Sequence, residues 1–177
     1  MALNFDSRIS AFEQLGLWLE HFLKEVENNR FTDDFNSEFQ AIIERQSREN
    51  GWFTQYNIYS SLAAIRDNLQ AESLNNLRFV YGNRIATSWQ EKIVAVVTGA
   101  FFPLVSFYDF MVVLLTGNVL QIKLHADDKL LLPKIAQKLM EIEPDFSEKI
   151  QFVDQLHDFE RVIITEENGH SEVLCQY

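Results

Sequence analysis

The stretch Ile93-Val94-Ala95-Val96-Val97-Thr98-Gly99-Ala100-Phe101-Phe102-Pro103 decides the fold. Its first five residues form an unbroken, mainly β-branched run, as expected of a strand covered on both faces in a parallel sheet. A turn follows at Gly99 to Pro103. Leu104 to Leu115 is apolar nearly all round, which predicts a buried helix, and Gly117 suits its C-terminal stop. Val119 to Leu124 reads as a second strand and carries Lys123 near its end. A strand, a helix and a returning strand within about thirty residues form the unit of a nucleotide-binding sheet.

Downstream, Asp127 or Asp128 can open a helix through Met140, with Leu130, Ile135 and Leu139 inward and Pro144 closing it. Ile150 to Val153 and Arg161 to Thr165 read as two further short strands. Upstream the period is helical. Phe5, Ile9, Phe12, Leu15, Leu19, Phe22 and Val26 recur at three- and four-residue steps behind an Asp6 or Ser7 cap. Thr32 can cap a second helix with Phe35, Phe39, Ile42 and Ile43 inward. Gly51 breaks that pattern, and Thr54 caps a third helix striped by Ile58, Leu62, Ile65 and Leu69. A fourth segment, Ala71 to Val80, ends near Gly82. The expected organisation is a helical region over 1–90 and a truncated nucleotide-binding α/β region over 91–177. The fold class is α/β, N-terminal helices followed by an open, mostly parallel Rossmann-like sheet.

Composition narrows the function classes. The chain has 177 residues, 47% of them hydrophobic and 15 of them Phe, enough for one good-sized core. With 26 acids against 15 bases, the formal charge of −11 argues against a nucleic-acid partner, which needs a basic face. Cys175 is the only cysteine, so neither an internal disulfide nor a multi-thiolate metal site can form. His21, His157 and His170 show no metal-ligand spacing. Met1 to Ser10 lacks a charged-then-apolar signal pattern, and the run from Phe101 to Leu115 falls short of the ~20 residues a membrane span needs. The expectation is a soluble, cytoplasmic protein without a membrane span.

From Ile93 onward the chain resembles the aldehyde dehydrogenase superfamily, on Phe101-Phe102-Pro103-Leu104, Gly117-Asn118 and Ile122-Lys123. More closely it resembles the LuxC-like acyl-CoA reductases. Asn50-Gly51-Trp52-Phe53-Thr54, Pro103 to Phe110, Asp128-Lys129-Leu130-Leu131-Leu132-Pro133, Glu143-Pro144-Asp145-Phe146 and Asp158 to Ile163 carry that similarity. It spans Ile9 to about Thr165 and covers the first part of a typical member. The resemblance implies a partial aldehyde dehydrogenase-like fold and a family reaction that reduces fatty acyl-CoA to aldehyde with NADPH through an acyl-cysteine. The family's cysteine lies in a later domain. With the chain ending at Tyr177, this part is expected to be non-catalytic, and Cys175 to be an ordinary residue.

Two departures from the family pattern weaken the expected cofactor binding. Phe101 stands where the family has an Asn whose amide donates to the oxyanion. Thr165-Glu166-Glu167-Asn168 replaces a Gly-Ser-containing turn at the cofactor phosphates, substituting carboxylates for a close backbone approach.

Lys123 ends a strand at the edge where open α/β sheets bind ligands, and the resemblance gives it the cofactor ribose or its 2′-phosphate. His125 can add a donor, and Thr98 and Gly99 line the same crevice. Asp109, a carboxylate in an apolar helix, needs a partner and reads as a paired structural residue. Phe12, Trp18, Phe22, Phe31, Phe35 and Phe39 are either core or the cover of an absent partner. The alternative to a cofactor-binding part is a decayed homologue. Such a protein would act as a binding or scaffold module by self-association or by pairing with a full-length reductase.

Overall fold

The computed structural model describes residues 3–86, 90–99, 101–126, 128–165 and 171–175. Four helices come first: α1 (Phe5–Glu27), α2 (Asp34–Glu49), α3 (Gln55–Asn68) and α4 (Ala71–Ala86). The sheet region then runs β1 (Ile93–Val97), α5 (Phe107–Leu115), β2 (Val119–Lys123), α6 (Leu131–Ile142), β3 (Ile150–Phe152), β4 (Arg161–Thr165) and β5 (Ser171–Cys175). A short 3-10 helix, Pro144–Glu148, precedes β3.

The helix starts follow the local competition for caps. Asn4, two residues ahead of Asp6 and three ahead of Ser7, caps α1 in their place, its side chain accepting from the Ser7 amide at 2.8 Å. Asp6 instead pairs with Arg78 of α4 at 3.1 Å. Asp33, not Thr32, caps α2. The Thr32 hydroxyl is drawn off to Glu25, a buried carboxylate that also takes the Asn36 amide group at 2.6 Å. Thr54 caps α3 as the sequence predicts. α4 runs through Gly82, and α5 starts only at Phe107, because Leu104 takes a left-handed conformation (φ 59°) in the preceding turn.

The strand order is β3-β2-β1-β4-β5. Strands β3, β2, β1 and β4 are mutually parallel, and β5 adds antiparallel to β4. The last strand lies beyond Thr165, where the family resemblance stops and the sequence predicts no strand. Both βαβ connections place their helices on one face, where Val94, Val96, Leu120 and Ile122 join the main core. The return from β3 to β4, residues 153–160, carries no helix. Its His157 amide donates at 2.7 Å to Gln121, a fully buried glutamine that faces away from that core.

One core joins the helical region to the sheet. Phe12 of α1 meets Phe110 of α5 and Phe146 edge-on, at centroid distances of 6.4 and 5.9 Å. Trp18, Phe22 and Phe39 form a second ring cluster, and the Lys134 and Lys138 ammonium groups sit 4.0 and 3.9 Å from the Phe35 ring centre. Of the six aromatics of this region, Phe12, Phe22 and Phe39 are fully buried core, Trp18 and Phe31 pack half-buried against it, and Phe35 lies against the two lysines and Trp18. Among the described residues no helix is long and apolar enough to cross a membrane.

Candidate functional site

In an open α/β sheet, ligands bind beyond the carboxyl ends of the strands, at the point where successive connections turn to opposite sides. Here that point lies between β1 and β4. It is closed. A Cβ added to Gly99 would come within 2.9 Å of the Thr165 carbonyl and 3.0 Å of the Phe101 ring. Gly99 is thus required by the approach of β1 to β4, and it is not among the cleft-lining residues.

The first turn of α5 is tied to the end of β4. Asp109, in that turn, accepts from the Thr165 hydroxyl at 2.9 Å, and the Ser106 hydroxyl lies 3.4 Å from the Thr165 hydroxyl oxygen. Burial raises the Asp109 carboxyl above its ordinary range, and the Thr165 hydrogen bond partly opposes that rise. Glu166 and Glu167 lie outside the described residues.

The open space lies one strand over, at the ends of β1 and β2. A cleft of about 350 Å³ is lined by Val97, Thr98, Lys123, Leu124, His125, Ala126, Lys129 and Asp154. Thr98, Lys123 and His125, three of the four residues singled out from the sequence, converge there. The Thr98 amide donates to the Lys123 carbonyl at 3.1 Å, extending the β1–β2 ladder by one bond. The buried Thr98 hydroxyl accepts from the His125 amide at 2.8 Å and so fixes the chain as it leaves β2. Lys123 and His125 are exposed. A smaller apolar space, lined by Leu124, Pro133, Phe152 and Val153, shares Lys129 and Asp154 with the cleft.

Sequence reasoning did not single out Lys129 and Asp154 as lining residues. Each lies in the loop that leaves a strand's carboxyl end, Lys129 after β2 and Asp154 after β3. Their positions follow from the parallel order and not from any residue spacing.

Asp128 lies just behind the cleft. It is 5% exposed, and its Oδ1 has no hydrogen-bond partner. Burial pushes its carboxyl up to about 6, opposed by the Leu104 backbone amide and, more weakly, by His125. It does not cap α6, which begins three residues later with Leu130 at the capping position. Among the described residues no group of His, Cys, Asp and Glu is arranged to hold a metal ion.

The site defines an α/β protein with a mainly parallel sheet and a cation-bearing cleft at its carboxyl edge. No family model, curated protein or solved structure matches the chain.

Proposed function

We propose that this chain is the nucleotide-binding part of a LuxC-like acyl-CoA reductase and that its cleft takes the phosphorylated ribose of an NADP-type cofactor. The observation that carries this reading is the convergence of Thr98, Lys123 and His125 on one cleft at the carboxyl edge of a parallel sheet. A phosphate monoester suits this donor set. The Lys123 ammonium supplies charge, and the His125 ring and Lys129 supply further donors. The cofactor, when bound in a reductase, supplies the hydride; this chain's residues bind and orient one end of it.

The fit is partial. Phe101 offers no donor in the turn after β1, and the Asp109 carboxylate in the first turn of α5 would repel a pyrophosphate there. Affinity should therefore be no tighter than about millimolar. The Cys175 backbone pairs with Arg161 at the amino end of β4, two strands across and at the opposite end of the sheet. In this reading the chain is a binding unit, and reduction of an acyl thioester requires a thiolate.

The test is an amide-shift titration by NMR with NADP⁺ and NAD⁺. NADP⁺ should move resonances at Thr98, Lys123, His125 and Lys129, and Lys123→Ala should weaken it about fivefold, the worth of one solvent-screened charge contact. Shifts confined to other surfaces, or no response to Lys123→Ala, would exclude the assignment.

A second reading, a module that acts by association, is favoured by α4. That helix presents Phe79 at 90% exposure beside the exposed Val80 and Tyr81. Light scattering over micromolar concentrations decides it: a 20.7 kDa monomer throughout counts against self-association.

A further inference from the structure

The described residues give Asp128 no structural task that needs its charge. It is almost fully buried, caps no helix, and leaves one carboxyl oxygen unpartnered. Its own amide donates to the His125 carbonyl at 3.1 Å, closing the turn that presents His125 and Lys129 to the cleft. An ionised carboxylate in that place lacks compensation, whereas a neutral carboxyl fits it.

We propose that Asp128 is a positioning residue of the cleft, holding His125 and Lys129 in their ligand-accepting places only while its carboxyl is neutral, so that anion binding there takes up a proton. The inference rests on the cofactor reading above. The proton passes from solvent to a carboxylate oxygen, and no other bond changes. When Asp128 ionises, its unpartnered oxygen must reach water. The segment that moves to allow this carries His125 and Lys129 and breaks the bond from the His125 amide to Thr98. Ionisation also sets a like charge behind the anion. Both effects oppose binding.

The surrounding charges do not cancel this. On its own segment stand His125 and Lys129, and Asp127, next to it in sequence, lies outside the described residues. The end of α2 contributes Arg45 and Glu49, which share a neighbouring pocket with Ala126, Lys129 and Leu130. Lys123 ends β2, Asp154 follows β3, and Lys134 of α6 is held by Glu38 at 2.7 Å. The turn 101–106, which lends the Leu104 amide, holds no titratable side chain. Attraction to His125 favours the ionised form but is outweighed by burial.

The experiment uses the full chain and NADP⁺. In the wild type, lowering the pH from 7.5 to 5.5 should tighten NADP⁺ about fivefold beyond the change seen in Asp128→Asn, which should hold the tighter affinity at both values. Reciprocity gives a second readout that needs no variant. Near-saturating NADP⁺ should raise the titration midpoint of the Leu104 amide by about 0.7 pH, the same fivefold coupling read from the other side. An unmoved Leu104 midpoint, or an Asp128→Asn profile parallel to the wild type, overturns the role of Asp128. If Lys123→Ala still weakens binding in that case, the cofactor reading stands. If NADP⁺ shifts no cleft resonance at any pH, both fall together.

Discussion

The Thr165 hydroxyl donates to the Asp109 carboxylate at 2.9 Å, tying the carboxyl end of β4 to the first turn of α5. The Thr165 carbonyl also lies against Gly99, at the switch point of the sheet. A cleft lies one strand over, at the ends of β1 and β2, where Thr98 holds the His125 amide. The mainly parallel sheet thus presents Lys123 and Lys129 at the carboxyl ends of β1 and β2.

Thr165→Val removes the donor and leaves the methyl volume. Asp109 already has its pKa raised by burial, and Thr165 is the group that lowers it, so the variant's carboxyl should rise further. A carboxyl whose folded-state pKa lies above its unfolded value loses stability as pH climbs through the interval between them. The deficit should be near zero at pH 4 and about 1 kcal/mol at pH 7.5, discounted for partial exposure. Urea unfolding at both pH values measures it, and equal deficits would show that the hydroxyl serves Asp109 in neither state.

Gly117 ends α5 at φ 84°, a conformation that costs a non-glycine residue about 1 kcal/mol. The Arg8 guanidinium of α1 also occupies the space a Cβ would take, while donating to the Leu3 carbonyl at 2.9 Å. Gly117→Ala should therefore destabilise by about 2 kcal/mol, strain and displaced arginine together. Pairing it with Arg8→Ala should recover part of that loss, and a double variant no better than the single one would place the whole cost in the backbone.

Gly16 tests the packing of α1 on α3. Alanine in mid-helix normally gains about 1 kcal/mol over glycine. At this position its Cβ would meet the Leu69 Cβ at 2.8 Å and the Leu69 carbonyl at 3.1 Å. Overpacking of that kind costs about 1–3 kcal/mol, so the steric loss should win and Gly16→Ala should lower the urea midpoint. A raised midpoint would mean that the end of α3 yields at little cost.

Much of this architecture is legible in the sequence because periodicity reports burial. The β-branched run at Ile93–Val97 and the apolar helix after it could satisfy their neighbours only in a covered parallel sheet. Cap identities are less legible, since Asn4, Asp6 and Ser7, or Thr32 and Asp33, offer similar oxygens and tertiary partners such as Arg78 and Glu25 choose between them. Strand β5 was invisible because an edge strand paired on one side needs little hydrophobic pattern. At the site, the strand-end rule places Thr98, Lys123 and His125 beside one cleft. It does not show that Gly99 lies against Thr165, because that approach depends on a contact between strands far apart in sequence.

Asp128→Asn should reverse its effect on stability with pH. In the folded protein the carboxyl titrates at about 6, against 3.8 ordinarily. Below pH 3.8 both states hold the proton and the group is neutral to folding. Between 3.8 and about 6 the folded state keeps a proton that the unfolded chain releases, so stability falls as pH rises, and above about 6 the full loss is present. Roughly two pH units at 1.36 kcal/mol each make that loss about 3 kcal/mol, an upper bound if the 125–129 segment moves to hydrate the charge. Asparagine is uncharged throughout and its oxygen can still accept the Leu104 amide, but its NH₂ gains no evident acceptor, a cost of about 1 kcal/mol. The variant should therefore be less stable than the wild type by about 1 kcal/mol at pH 3.5 and more stable by about 2 kcal/mol at pH 7.5. Urea midpoints at the two pH values check both signs, and a variant less stable at both would show that the Asp128 carboxylate is compensated in the folded protein.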